Sequence, residues 1–345
     1  MKKINIGWIG SGFVGQVAHL NNFTSLKNVK IVGLAELRTK LGQIACDKFR
    51  IPLLYKNYRD LLNQEDIDAV VAIVNRKHTA SLAEDILKRG FSLFTEKPMA
   101  ATYLQANKLY KIAKKKRCTY VIGNMRIHDE GIELGKYYLE KFLKNNELGK
   151  IIYFRAYCFS GNDYCNIDGY SFTDEPRPNK QILPIAPSWI PRLKKKKFEK
   201  FLNFFVHDIN LIHHFFGSPQ SIRNVNFKNN AGNIIFDYKS FYGNFEFGYI
   251  NQNKWHEGIE IYFDKGTINI KLPPAFLKNR TAKVEIYKEK GNFENIVPKT
   301  NFSWSFKRQA QKFVNLISKN KSDVKSAKDS LQDMKLIEEI WKKTI

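Results

Sequence analysis

Along the first third of the chain, short apolar runs alternate with longer stretches whose apolar positions recur at helical spacing. The apolar runs are INIGWI (4–9), KIVGLAE (30–36), AVVAIV (69–74), FSLFTE (91–96) and TYVIGN (119–124). Their β-branched content and length predict strands. Among the intervening segments, TASLAEDILKRG is amphipathic and ends on Gly90, a residue able to take the left-handed conformation that closes a helix. Strands and helices alternating at this length predict an α/β architecture, a doubly wound parallel sheet with helices on both faces.

The pattern changes after residue 124. A helix near 130–146 leads to a strand, KIIYFRAYCF (150–159), and then to a long loop carrying Pro176, Pro178, Pro184, Pro187 and Pro191. Helical spacing returns at 199–216. The segment IEIYFDKGTINIKL (259–272) predicts a hairpin turning at Asp264-Lys265-Gly266, because Ile259, Ile261, Phe263, Ile268, Ile270 and Leu272 then share one face. A terminal amphipathic helix is expected at about 324–344. Two domains follow: residues 1–124 with the parallel sheet, and residues 125–345 as an α+β domain with a mainly antiparallel sheet.

Composition adds boundaries. With 43% hydrophobic and 26% charged residues in 345, the chain is that of a folded protein. Cys46, Cys118, Cys158 and Cys165 are scattered, and none forms a C-x-x-C pair, which argues against a disulfide framework and fits a cytoplasmic location. Glycines break the apolar stretch behind Met1-Lys2-Lys3, so it is expected to be a strand rather than a leader. No run reaches the roughly 18 apolar residues of a spanning helix, so no membrane partner is expected. The formal charge is +24, but its lysines cluster in runs such as KIAKKKR (111–117) and LKKKKFEK (193–200) without any nucleic-acid motif. A solvated lysine face, and no nucleic-acid partner, is the expectation.

Three local patterns carry chemistry. In GSGFVG, Gly10, Gly12 and Gly15 frame Phe13 and Val14 in the G-x-G-x-x-G spacing, between a strand and a helix. Such glycines allow a tight turn, a close backbone approach to a pyrophosphate and close helix packing, while the helix N-terminus faces the phosphates. Glu36, at the end of the second strand, can bind both ribose hydroxyls and so favours NAD; Arg38 can meet a 2′-phosphate, so NADP stays open. In FTEKPMA, Lys97 follows Glu96 and precedes Pro98, which fixes the backbone at the strand edge where a cofactor lies. An ammonium held there can stabilise the charge that develops on a carbinol oxygen as hydride leaves carbon. In KFLNFFVHDINLIHHFFG (200–217), Asn203, His207, Asn210 and His214 fall along one stripe of a largely apolar helix. His213 and His214 read as packing or surface residues, and no metal-ligand spacing is present.

Taken together, IGWIGSGFVG, HTASLAEDILKRGFSLFTEKPMA, GNMRIHDEGIE, VHDINLIHHFFG and SAKDSLQDMKLIEEIW resemble the glucose-fructose oxidoreductase, inositol dehydrogenase and MocA (Gfo/Idh/MocA) family. The resemblance implies a Rossmann domain, a C-terminal domain whose large sheet often serves oligomerisation, hence a homo-oligomer (dimer or tetramer), and NAD(P)-dependent redox chemistry on a sugar-like hydroxyl. It implies Lys97 as the catalytic lysine, Glu96 and His78 on the cofactor side, and His207 as proton relay with Asn203 orienting the ring.

The chain departs from the family at Asn75-Arg76, where Thr-Pro is frequent, and at Asn203 and Asn210, where relatives carry Asp. An amide can hold a sugar hydroxyl but cannot stabilise an imidazolium as a carboxylate does. Asn75 joins the cofactor set. Arg126, Asn210 and Trp255 are further substrate candidates, with His128 and His256 beside them and Asp168 and Tyr170 in a possible lid. The expected activity is hydride transfer between a nicotinamide and a secondary hydroxyl or keto group of a sugar, nucleotide sugar or inositol. The alternative is a non-catalytic dinucleotide-binding regulator of the same fold.

Overall fold

A computed structural model describes residues 3–63, 66–161, 168–177, 183–290 and 292–345. Cys165 and Pro178 lie outside the described residues. The chain divides into two compact units. The first contains Met1–Asn124, Ile167–Asn203 and Phe306–Met334; the second contains Met125–Asn166, Phe204–Ser305 and Lys335–Ile345. The division at 124/125 falls where the strand-helix alternation stops, and the chain then returns twice to the first unit.

The first unit is built on a parallel sheet of six strands: β1 (Ile4–Ile9), β2 (Val29–Ala35), β3 (Leu54–Tyr55), β4 (Ala69–Ala72), β5 (Ser92–Glu96) and β6 (Tyr120–Gly123). Their order is β3-β2-β1-β4-β5-β6, the doubly wound arrangement that the alternation predicts. Helices follow the strands: α1 (Asn21–Thr24), preceded by a π-helical segment Gly15–Leu20, α2 (Thr39–Phe49), α3 (Tyr58–Leu62), α4 (Arg76–Lys88) and α5 (Tyr103–Lys116). Local sequence sets their ends. Asn75 caps α4 by accepting from Lys77 N–H at 3.1 Å, and Gly90 ends the turn beyond it at φ +90°. Thr102 caps α5 through Gln105 N–H at 3.2 Å. Between sheet and helices, Trp8, Phe23, Phe94 and Phe313 form an edge-to-face aromatic core, with ring centroids 5.4 Å apart for Trp8–Phe23 and 5.6 Å for Phe94–Phe313.

The second unit is organised by an eight-stranded sheet. Its strands are β7 (Ile151–Ser160), β8 (Ser221–Lys228), β9 (Ala231–Asp237), β10 (Tyr242–Tyr249), β11 (Trp255–Phe263), β12 (Gly266–Leu272), β13 (Lys283–Lys290) and β14 (Asn292–Ile296), in the order β14-β13-β12-β11-β7-β10-β9-β8. Only the central β10–β7 pair is parallel; every other pairing among the described strands is antiparallel. The hairpin expected around 264–266 is β11–β12, with Ile261 opposite Ile268 and Phe263 opposite Gly266. Helix α6 (Glu130–Asn145) packs on this sheet through Gly131 and Gly135; a Cβ on Gly131 would lie 1.9 Å from the Ala282 carbonyl oxygen. Three further helices are α7 (Lys195–Phe216), α8 (Ser305–Ser318) and α9 (Lys325–Lys342).

Candidate functional site

In the first unit the glycine turn is shaped as its spacing implies. Gly10 stands at φ +88°, and a Cβ there would meet the Ile73 carbonyl oxygen at 2.3 Å, so no side chain fits. A Cβ on Gly15 would approach the Gly10 carbonyl oxygen to 3.1 Å, which is the close packing of helix on turn. Gly12 differs: a Cβ there would find nothing nearer than Arg38 Nη2 at 3.9 Å. Its backbone is therefore open on the side where a pyrophosphate approaches, and the residues present fit a dinucleotide.

Glu36 lies next to this turn and is buried. Its Oε2 accepts from Ser11 N–H at 2.9 Å and Ser11 Oγ at 3.0 Å, and Oε1 accepts from Arg38 N–H at 3.1 Å. The Arg38 guanidinium closes on it from Nε (2.9 Å to Oε1) and Nη2 (3.1 Å to Oε2). Burial opposes the charged carboxylate, but the Arg38 and Ser11 hydrogen bonds outweigh it and hold Glu36 below the usual carboxylate range.

The π-helical segment after the turn faces inward with Gln16 and His19, both buried. His19 Nε2 lies 2.7 Å from Glu96 Oε1, so the acid ahead of the lysine is held by an imidazole. Lys97 N–H donates to Glu96 Oε2 at 3.1 Å, and the peptide between Lys97 and Pro98 is cis. The Lys97 ammonium donates to the Asn203 backbone carbonyl at 2.7 Å. Desolvation lowers its pKa; Glu96 works in the opposite sense and the Arg76 charge adds to the lowering. Arg76 in turn reaches Glu199 at 3.4 Å. Of the remaining residues singled out near the cofactor, Phe13 and Val14 lie in the glycine turn, Asn75 caps α4, and His78 is half-buried in the first turn of α4.

In the second unit, Arg126 and Trp255 are brought together around a residue that the sequence reading missed. Arg126, 3% exposed, pairs through Nη2 with Glu257, 4% exposed, and donates from Nη1 to the Pro273 carbonyl at 2.8 Å. Trp255 Nε1 donates to the same Glu257 Oε2 at 2.6 Å, and the guanidinium stands 5.8 Å from the Trp255 ring centroid. Asp208, buried on α7, joins this group and accepts from the Cys158 thiol. Desolvation, then repulsion from Glu257, push Asp208 well above the carboxylate range, while Arg126 acts against them. Burial raises Glu257 too, with Arg126 and Trp255 opposing. Cys158 is raised well above an ordinary thiol, first by burial and then by Asp208 and Glu257.

A signal for both carboxylates exists in the pattern. Glu257 is in phase with the inward-facing Ile259, Ile261 and Phe263, and Asp208 with the buried Phe201, Phe205 and Ile212. An acid at an apolar phase marks a buried network. On the same helix His207 is half-buried and Asn210 buried, one turn and about two turns beyond Asn203. Among the described residues no group of three His, Cys, Asp or Glu is placed to hold a metal, and no helix is long and apolar enough to cross a membrane.

A glycine turn at the C-terminal end of β1, an acid at the end of β2 and a fixed lysine at the end of β5 are the elements of a dinucleotide-binding domain. Residues 4–124 match the oxidoreductase family, NAD-binding Rossmann fold (GFO_IDH_MocA). Residues 4–124 are thus similar to the NAD-binding Rossmann domain of the Gfo/Idh/MocA oxidoreductases. Inositol 2-dehydrogenase of Salmonella typhimurium is 27% identical over 149 residues, 43% of this chain and 42% of that protein. Levoglucosan dehydrogenase of Pseudarthrobacter phenanthrenivorans is 26% identical over 166 residues, 45% of this chain and 41% of that protein. The chain therefore spans about two fifths of the length of the curated relatives it matches.

The fold itself extends further. KijD10, a 3-ketoreductase from Actinomadura kijaniata solved with NADP, superposes at a TM-score of 0.73 over 98% of this chain and 96% of that one, at 16% identity. A dehydrogenase (MviM) from Clostridium difficile gives 0.74 over 99% of both chains at 17% identity.

Proposed function

We propose that the protein is an NAD-dependent oxidoreductase that moves hydride between a nicotinamide and a secondary hydroxyl or keto group of a sugar, nucleotide sugar or inositol. The observation that carries this reading is Lys97: a desolvated ammonium with lowered pKa, fixed at the end of β5 in a unit whose β1 turn fits a dinucleotide. When bound, the nicotinamide supplies the hydride acceptor or donor. Gly10, Gly12 and Gly15 admit the pyrophosphate, and Glu36 meets the ribose hydroxyls. Arg38 is already spent on Glu36 from Nε and Nη2, which supports NAD over NADP.

Lys97 donates a hydrogen bond to the reacting oxygen and offsets the negative charge that grows there as the carbon is oxidised. Exchanging its bond to the Asn203 carbonyl for one to that oxygen leaves the ammonium paired throughout. His207, one turn from Asn203 on the same helix, is the candidate acceptor of the alcohol proton. The names of the relatives support a polyol or sugar as substrate: an inositol for one, levoglucosan for another.

The test is absorbance at 340 nm with NAD and NADP against inositols, free sugars and nucleotide sugars. Turnover on a member of this panel is the expected result. Tight dinucleotide binding without turnover on any of them would make the protein a non-catalytic regulator instead.

A further inference from the structure

A segment that no cofactor motif includes lies along the dinucleotide side of the first unit. Gln16, the residue directly after the glycine turn, clamps Ser171 from both sides of its peptide: Nε2 donates to the Ser171 carbonyl at 2.9 Å, and Ser171 N–H donates to Oε1 at 2.9 Å. The Phe13 ring, inside the turn, meets Tyr170 edge-on at 4.9 Å. Lys48, near the end of α2, donates to the Gly169 carbonyl. Four residues after Ser171 the segment reaches the start of α2, where Glu175 accepts from Lys40 N–H and Leu41 N–H, each at 3.0 Å, and from Thr173 Oγ1 at 2.9 Å.

Two observations give that last contact a meaning beyond capping. Helix α2 has no cap of its own, because Arg38 stands at the capping position and its side chain accepts nothing. Nothing in its own first turn caps the leading amides of α2, so their acceptor comes from elsewhere in the chain. Independently, Glu36 marks where the adenosine ribose must arrive, and Lys40 is only four residues further along the chain. A phosphate on the ribose 2′ position would have to sit within this short stretch, beside Arg38 and the first amides of α2. Both partners are already taken by carboxylates of the chain itself, Arg38 by Glu36 and the α2 amides by Glu175.

We propose that Glu175 is a specificity-determining residue: its carboxylate occupies the place of an adenosine 2′-phosphate and thereby selects NAD against NADP. The inference rests on the reading of the first unit's cofactor given above. A ribose hydroxyl is neutral and tolerates the carboxylate. A 2′-phosphate dianion meets two acids, and to bind it must displace Glu175 from α2 and draw Arg38 away from Glu36. Removing the Glu175 side chain frees the amides and deletes one of the two repulsive charges. Desolvation opposes the charge on Glu175, but the N–H groups of Lys40 and Leu41 outweigh it and hold the carboxylate below its usual range, so it is charged at neutral pH, where a 2′-phosphate is largely dianionic.

The experiment is direct binding by calorimetry of NAD and NADP to the wild type, Glu175→Gln and Glu175→Ala. The wild type is expected to prefer NAD. Glu175→Ala is expected to tighten NADP by about tenfold, on the scale of one charge-assisted contact, while NAD affinity stays within about threefold. Glu175→Gln keeps an acceptor for the amides without the charge, and is expected to fall between the two. Unchanged NADP affinity in both variants, with melting temperatures like the wild type, overturns the proposal. So does an equal weakening of both dinucleotides in both variants, which makes Glu175 a purely structural tether. A wild type that binds neither dinucleotide overturns the cofactor reading itself, and is recognised before any variant is made.

Discussion

Replacing Arg126 by Met removes the cation from a buried group of acids while keeping most of the side-chain volume. Arg126 is 3% exposed, Glu257 4% and Asp208 5%, so no bulk water is available to take over its role. The variant leaves Glu257 with only Trp255 Nε1 as donor among the described contacts, and it also orphans the Pro273 carbonyl. Breaking a buried pair by removing one partner costs about 3–5 kcal/mol. With an m-value of about 2 kcal/mol/M, the urea midpoint of the second unit falls by about 1.5–2.5 M. The double variant Arg126→Met/Glu257→Gln recovers part of the loss, because the uncompensated charge is gone.

The pH dependence carries a sign that a mere packing defect lacks. Burial first, then mutual repulsion, raises Asp208 in the fold, and burial raises Glu257. Carboxyls whose folded pKa exceeds the unfolded value of about 4 take up protons in the fold; their stabilisation is complete below that value and is lost as pH rises through the folded pKa. Deleting the guanidinium raises both further. The deficit of Arg126→Met is therefore smaller near about pH 5 than near about pH 8. Urea titrations followed by tryptophan fluorescence at both pH values measure this. A midpoint shift under about 0.5 M at the higher pH, or a deficit that shrinks as pH rises, refutes the reasoning.

Other perturbations reach the remaining elements. Gly10→Ala places a Cβ at φ +88° and 2.3 Å from the Ile73 carbonyl, so thermal melting should show a loss of at least about 1–3 kcal/mol together with weakened dinucleotide binding; a wild-type melting temperature would remove the steric argument for that glycine. Asn203→Asp puts a carboxylate one helical turn before His207, and a histidine-like group in the pH–rate profile should move upward by about half a unit to one unit. If the profile of the wild type already shows a histidine pKa well above about 6.5 that Asn203→Asp leaves in place, the amide is not what sets the proton relay. Glu175→Ala widens cofactor use toward NADP, read as tighter NADP binding by calorimetry with NAD affinity within about threefold of the wild type.

What the sequence shows and what it hides divide along the range of the interactions. The runs ending at Ile9, Ala35 and Glu96 are legible because a buried parallel strand is apolar throughout, and GSGFVG because a turn is fixed by neighbours. The β11–β12 hairpin is legible for the same local reason. Lys97 is visible as a residue, but not its desolvation or its bond to the Asn203 carbonyl, 106 positions away. The Arg126–Glu257 pair joins residues 131 apart, and nothing short-range links them. Glu175 is hidden for a third reason: its segment sits in a proline-bearing stretch of the C-terminal half, yet it belongs with the first unit, where α2 lacks a cap. The π-helical segment before α1, which contains the His19 that meets Glu96, has no pattern of its own in the apolar spacing.

The central claim is that Lys97 serves the chemical step rather than cofactor binding, and one paired measurement on Lys97→Ala tests it most directly. NAD affinity by calorimetry and single-turnover reduction at 340 nm are taken on the same preparation, with the best substrate of the panel. The account predicts NAD affinity within about threefold of the wild type and a hydride-transfer rate reduced at least about a hundredfold, the scale for loss of one transition-state hydrogen-bond donor. A variant that transfers hydride at nearly the wild-type rate, or one that loses rate only because NAD no longer binds, would contradict it.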